Sequence, residues 1–245
     1  QKFMSIAKRE LITTIFALLI GIIVALPHLW GFIKLGSNYF PLRIHPQLQY
    51  IWDETYAYAP EVYKLAKGQL RGDSYILENN NQPFLFLGES ASIIPLAIIA
   101  KILGSVSTTF AIADLIFPAL LFLLIHLWLK KNKFQLTFSI LGAAAPIIIP
   151  YFSSLVPFLE KEGTVITGTI KDPLFLSRTP HPQISTIFLF ASIFLTANIL
   201  DKSSKKALFL WAILIGVSLY ASAFVGSTIA LSQALLLPLL FIKLK

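Results

Sequence analysis

Apolar runs of bilayer length, separated by short clusters of lysine, constrain this chain more than any other feature. A hydrocarbon core about 30 Å thick is crossed by about 20 apolar residues in an α-helix. Runs of that order occupy residues 11–30, 108–129, 134–152, 184–200, 207–224 and 226–242. The pattern predicts an all-α fold, a polytopic membrane helical bundle in which residues 1–245 form a single transmembrane module. Composition agrees: 56% of the residues are hydrophobic and 13% charged, against about 45–50% and about 25% in soluble domains. The net charge of +8 raises the question of nucleic acid. The basic residues sit beside the apolar runs, which is how a topology signal is distributed, so nucleic-acid binding is set aside. There are no cysteines, hence no disulfide, thiolate nucleophile or thiolate-held metal. Fourteen prolines and four tryptophans fit broken helices and interfacial anchoring.

Charge sets the expected topology. Lys8 and Arg9 precede the first run, which argues for a cytoplasmic N-terminus and, because the run is long and others follow, for an uncleaved span rather than a signal peptide. The loop from Gly31 then lies outside. Residues 91–103 are apolar but short, in the range of an interfacial or re-entrant segment. If they crossed, the cluster Lys130, Lys131 and Lys133 would fall outside. If they do not, the connections 130–133, 201–206 and 243–245 all fall inside and all are basic. Segments 31–107 and 153–183 are then the outer loops, the first holding juxtamembrane or re-entrant helices. No internal repeat of solenoid period is visible. The chain stops directly after an apolar run, and the expectation is an N-terminal fragment of a longer protein.

The polar chemistry collects in those two loops. Asp53 and Glu54 stand among Trp52, Tyr56 and Tyr58. Carboxylates there can serve as general base, electrostatic stabiliser or hard-metal ligand. Alternatively Asp53 caps the helix that follows and Glu54 is its solvated neighbour. That helix is expected over Glu61 to Gly68, with Val62, Leu65 and Ala66 on one face, Gly68 as its end, and Pro60 either in its first turn or at a kink. In the second loop Arg178 and His181 lie among three prolines of DPLFLSRTPHPQ. An arginine fork suits phosphate and a histidine adds a donor or a proton shuttle, while the bland alternative is an interfacial arginine meeting anionic lipid. Lys161 and Lys171 are weaker phosphate candidates. Asp114 falls inside an expected span, where an acid is functional by default, though near enough to the outer end for water or a partner helix to satisfy it. His28, His45 and His126 are expected at the interfaces. No HExxH, Gly-rich phosphate loop or GxSxG elbow occurs.

The order of these features resembles a known family. Asp53-Glu54 followed by Tyr56 and Tyr58, a short helix ending in Lys67-Gly68, then Pro83, an apolar helix closing at Leu103-Gly104 and a span ending in Lys130-Lys131 resemble the GT-C superfamily of membrane glycosyltransferases, which includes protein O-mannosyltransferases and lipid A aminoarabinose transferases. The likeness covers about the first half of the chain. It implies a multi-span fold with juxtamembrane helices in the first outer loop, inverting transfer of a sugar from a polyprenyl-phosphate donor on the outer face, and a catalytic acid in that loop. By the motif match that acid is Asp53, with Glu54 next. Arg178, with His181 and Tyr56, is the expected holder of the lipid phosphate, and a divalent cation, if one is used, would be held by Asp53 and Glu54. The expected partners are this donor and membrane lipids. The rival expectation is a non-enzymatic transporter or lipid-carrier flippase, with Asp114 and residues 91–103 lining the path.

Overall fold

Backbone groups out of reach of water must be bonded within the chain, and a helix does this without help from its neighbours. The computed structural model describes residues 6–39, 58–69, 90–153, 183–202 and 205–244. Among them the regular structure is eight α-helices and one short 3-10 turn. They are α1 (Ile6–Leu35), α2 (Ala59–Ala66), α3 (Ser90–Leu103), α4 (Val106–Lys131), α5 (Leu136–Ser153), α6 (Gln183–Lys202), α7 (Lys205–Leu219) and α8 (Ala223–Leu244). The all-α class is as the sequence leads one to expect. Three segments, Ala7–Asn38, Val106–Lys131 and Gln183–Leu200, are helical and long and apolar enough to cross a membrane.

Helix α4 is the hub, packed against α1, α3, α5 and α6. Its contact with α1 is close because α1 presents small residues at four-residue spacing: Ala17, Gly21 and Ala25 are all buried, and a Cβ on Gly21 would overlap the Leu115 carbonyl oxygen. Polar pairs fix the register. Thr13 meets His126 near one end of α4 and His28 meets Asp114 near the other, so the two helices are antiparallel. Helix α6 runs parallel to α4, since Gln183 reaches Asp114 and Lys131 reaches Asn198. Helix α7 returns along α6, with the Trp211 indole N–H on Thr196 Oγ1 at 2.9 Å. Basic residues of the α1 start and the α4 end therefore share one end of the bundle, with Lys130 bonded to Glu10 at 2.6 Å. His28, Asp114, Gln183 and the α7–α8 turn share the opposite end.

Helices α2 and α3 cover that opposite end. Val62 of α2, Ile93, Leu96 and Ala100 of α3, and Phe110 and Ala113 of α4 form one buried cluster with Ile184 of α6. Helix α2 begins at Ala59 with Pro60 in its first turn and stops before Gly68, and Leu65 and Ala66 pack on the same cluster, as its sequence pattern predicts. Helix α3 is held at both ends. Its Ala91 N–H donates to Tyr220 O at 2.9 Å and Ser92 Oγ to Ala221 O at 2.6 Å. Its C-terminus turns through Gly104 into α4, whose N-cap is Ser105. The α7–α8 turn and the start of α4 lie at the same end, so α3 starts and finishes there.

The break between the last two helices differs from the hydropathy boundary. It falls at Tyr220–Ser222 rather than between 224 and 226. Gly226 is not the break but a contact inside α8, where an added Cβ would come within 2.5 Å of Leu219 Cα and 2.6 Å of Ser218 O. The glycine lets α8 fold back tightly on the end of α7.

Large apolar side chains lie on the outside, and polar ones are buried beside the apolar clusters. Ile33, Trp30, Phe138, Ile149, Phe209 and Leu235 are exposed, whereas Asp114, Gln183, Ser185, Thr196 and Gln233 are buried. If the small-residue stripe holds α1 on α4, Gly21→Ala should lower stability by about 1–3 kcal/mol through overpacking. Gly216→Ala in α7, where nothing lies within 4 Å of the added carbon, should leave stability unchanged or raise it by about 0.5–1 kcal/mol. Thermal melting of the two variants in detergent tests this, and equal melting points would contradict the contact.

Candidate functional site

The end of α1 builds the site by doubling back. Gly36, at φ +54°, takes a left-handed conformation that a glycine adopts without strain. The 3-10 turn Gly36–Asn38 follows, with the Tyr39 N–H donating to Gly36 O at 3.1 Å. Tyr39 thereby lies back on α1, where Gly31 leaves room that a Cβ would take from the tyrosine ring. The ring meets Phe32 edge-on, with centroids 4.8 Å apart. Its hydroxyl reaches His28 Nδ1 at 2.8 Å. The other ring nitrogen, Nε2, is 3.0 Å from Asp114 Oδ2, and Gln183 Nε2 donates to Asp114 Oδ1 at 3.4 Å. His28 is 4% exposed, and Asp114 and Gln183 are fully buried.

Two protonation states satisfy this row. With a neutral imidazole, Nε2–H donates to the carboxylate and Nδ1 accepts the Tyr39 hydroxyl; with an imidazolium, both N–H groups donate. A carboxylate fixed by a histidine from α1 and an amide from α6 also joins three helices at one point. Removing one member would leave the others buried without their partner, which is where the cost of such a pair is felt.

The structure thus assigns Asp114 partners that hydropathy did not reveal. His28, expected at the interface, is instead buried, because antiparallel packing sets it opposite Asp114. His126 is buried as well, 3.2 Å from Thr13 Oγ1 and stacked on Phe122. Glu61, in the first turn of α2, is a further buried acid that the sequence pattern did not single out. The N-cap position of α2 is Tyr58, which makes no side-chain capping bond. Asp53, Glu54, Tyr56, Arg178 and His181 lie outside the described residues, as do His45, Lys161 and Lys171. Among the described residues no three His, Asp or Glu side chains gather into a metal site. The clues that would have found Tyr39 and Gln183 were the glycines at 31 and 36 and the polar residue opening an otherwise apolar helix.

A double-mutant cycle measures whether the pair is as tight as its geometry. His28→Ala and Asp114→Ala should each destabilise the protein, and their effects should fall short of additivity by about 0.5–3 kcal/mol. Additive losses in thermal or denaturant unfolding would mean that the two side chains do not interact.

No family model, no curated protein and no solved structure matches this chain.

Proposed function

We propose that this chain is a polytopic membrane glycosyltransferase, or the N-terminal transmembrane module of one, that moves a sugar from a polyprenyl-phosphate donor to an acceptor on the outer face. The observation that carries this reading is the placement of the anchors of the two candidate loops. Tyr58, which follows the segment bearing Asp53, Glu54 and Tyr56, packs in one cluster with Ile184. Ile184 follows the segment bearing Arg178 and His181. Tyr58 and Ile184, the described residues that follow those two segments, lie at the end of the bundle away from the basic residues of α1 and α4. The positive-inside rule makes that end the outer one and the N-terminus cytoplasmic. Helix α3, starting and finishing at the same end, suits a juxtamembrane element.

In this reading Asp53, with Glu54 beside it, takes the proton of the acceptor hydroxyl as its oxygen bonds to the anomeric carbon. The bond from that carbon to the phosphate oxygen breaks, and Arg178 meets the negative charge growing on the leaving lipid phosphate, with His181 and Tyr56 as further donors. The buried row Tyr39–His28–Asp114–Gln183 then braces the end of the bundle from which those segments leave. A second reading, a non-enzymatic transporter or lipid-carrier flippase, is favoured by that row itself, because an ionisable pair inside a helical membrane bundle often marks a substrate path.

Two measurements test the proposal. With single cysteines introduced into the cysteine-free chain, positions in 31–107 and 153–183 should react with impermeant thiol reagents from outside and position 132 should not. Labelling at 132 from outside would reverse the topology. In proteoliposomes Asp53→Asn should fold normally and lose roughly 10²- to 10⁴-fold in sugar transfer from a polyprenyl-phosphate donor. Near-normal turnover by that variant would remove Asp53 from catalysis, and flux of a lipid-linked substrate that depends on Asp114 and not on Asp53 would favour the transporter.

A further inference from the structure

A groove of about 500 Å³ opens where the C-terminal turns of α2 and α3 meet the start of α4. Small apolar side chains, Ala59, Ala66 and Ala100 among them, line part of it, and the rest carries Lys67, Lys101 and Ser107. Among the described residues no carboxylate lines it. The two lysines stand in or just after the last turns of their helices, where a cation is favoured by the helix dipole. That favours each lysine separately but leaves unexplained why both line one groove. Lys67 Nζ lies 5.7 Å from the centre of the Tyr63 ring, and neither ammonium forms an ion pair with a carboxylate among the described residues.

The outer side of α3 supplies a second observation. Ile94, Ile98 and Ile102 recur every fourth residue and are 48%, 56% and 78% exposed, with Leu103 beside them at 41%. An apolar stripe on one side of a short helix, next to a lysine and at one end of a bundle, is the pattern of a helix seated at the level where acyl chains meet headgroups. Lys101 lies three positions after Ile98, its neighbour across one helical turn, so an apolar and a cationic surface adjoin there.

We propose that the α2–α3–α4 groove binds the phosphate headgroup of an anionic phospholipid, with Lys67 and Lys101 on the phosphate, Ser107 as a hydroxyl donor and the isoleucine stripe of α3 along the acyl chains. Its residues belong to α2, α3 and the start of α4 rather than to the segments bearing Asp53 and Arg178, and the proposal holds whether the chain is a transferase or a transporter. It would seat α3 against the lipid and keep the α2–α3 pair from lifting off α4.

The full chain, purified in detergent with mixed lipids and examined by native mass spectrometry, should retain phosphatidylglycerol in preference to phosphatidylcholine. Lys67→Gln/Lys101→Gln should reduce that retention roughly tenfold or more, since each cation near a lipid surface contributes on the order of 1 kcal/mol. Lys101→Arg should keep it, and Lys133→Gln at the other end of the bundle should leave it unchanged. Equal retention by the double glutamine variant, equal retention of phosphatidylcholine, or a loss in Lys133→Gln as large as in the double variant would overturn the proposal. Displacement of the lipid by millimolar inorganic phosphate would overturn it too, by making the site one for free phosphate. Matched melting points of wild type and Lys67→Gln/Lys101→Gln guard against misfolding as the cause.

Discussion

The antiparallel pairing of α1 with α4 is the constraint on which the rest depends. In hydrocarbon two apolar helices gain nothing by hiding from lipid, so they associate through close packing and through polar groups that hydrocarbon cannot satisfy. This pair uses both. Ala17, Gly21 and Ala25 bring the backbones together, and Thr13–His126 and His28–Asp114 pin the two ends. A shift of one residue along either helix would rotate its face by about 100° and separate both polar pairs. Once that register is set, Asp114 is placed to receive Gln183 and α6 follows.

The same logic recurs deeper in the bundle. Gln233 Oε1 of α8 accepts from Thr196 Oγ1 of α6 at 3.0 Å and from the Trp211 indole of α7 at 3.3 Å. Buried polar side chains do here what an apolar core does in water: they decide which helix faces which. Exposed leucines, isoleucines and phenylalanines coat the outside, on the three described helices long and apolar enough to cross a membrane among others.

How legible was this in the sequence? The helical class, the helices along the apolar runs, and the extent and facing of α2 follow from hydropathy and from Pro60 and Gly68, because those are local properties. What hydropathy could not give was pairing. His28 near the end of an apolar run looks interfacial until its position opposite Asp114 is known, and that opposition comes from an antiparallel contact between residues 86 apart. The boundary expected between the runs 207–224 and 226–242 was misplaced for a like reason: hydropathy does not register the close approach of Gly226 to Leu219 that lets α8 begin earlier. Of the site, Asp114 was legible as an out-of-place charge. Its neighbours Tyr39 and Gln183 were not, since neither residue type is unusual at a helix end.

The bonds from Ala91 and Ser92 to the carbonyls of Tyr220 and Ala221 carry a consequence for the order of assembly. A chain emerges from its N-terminus, so α3 is made long before its anchors exist. The seat of α3 is completed only when the turn between the last two helices has been synthesised and inserted. Until then the Ala91 N–H and the Ser92 hydroxyl lack those partners, in a segment rich in exposed isoleucine. Maturation of α3 is thereby timed by the arrival of the α7–α8 turn, and truncation between the end of α6 and Tyr220 would leave α3 without its latch.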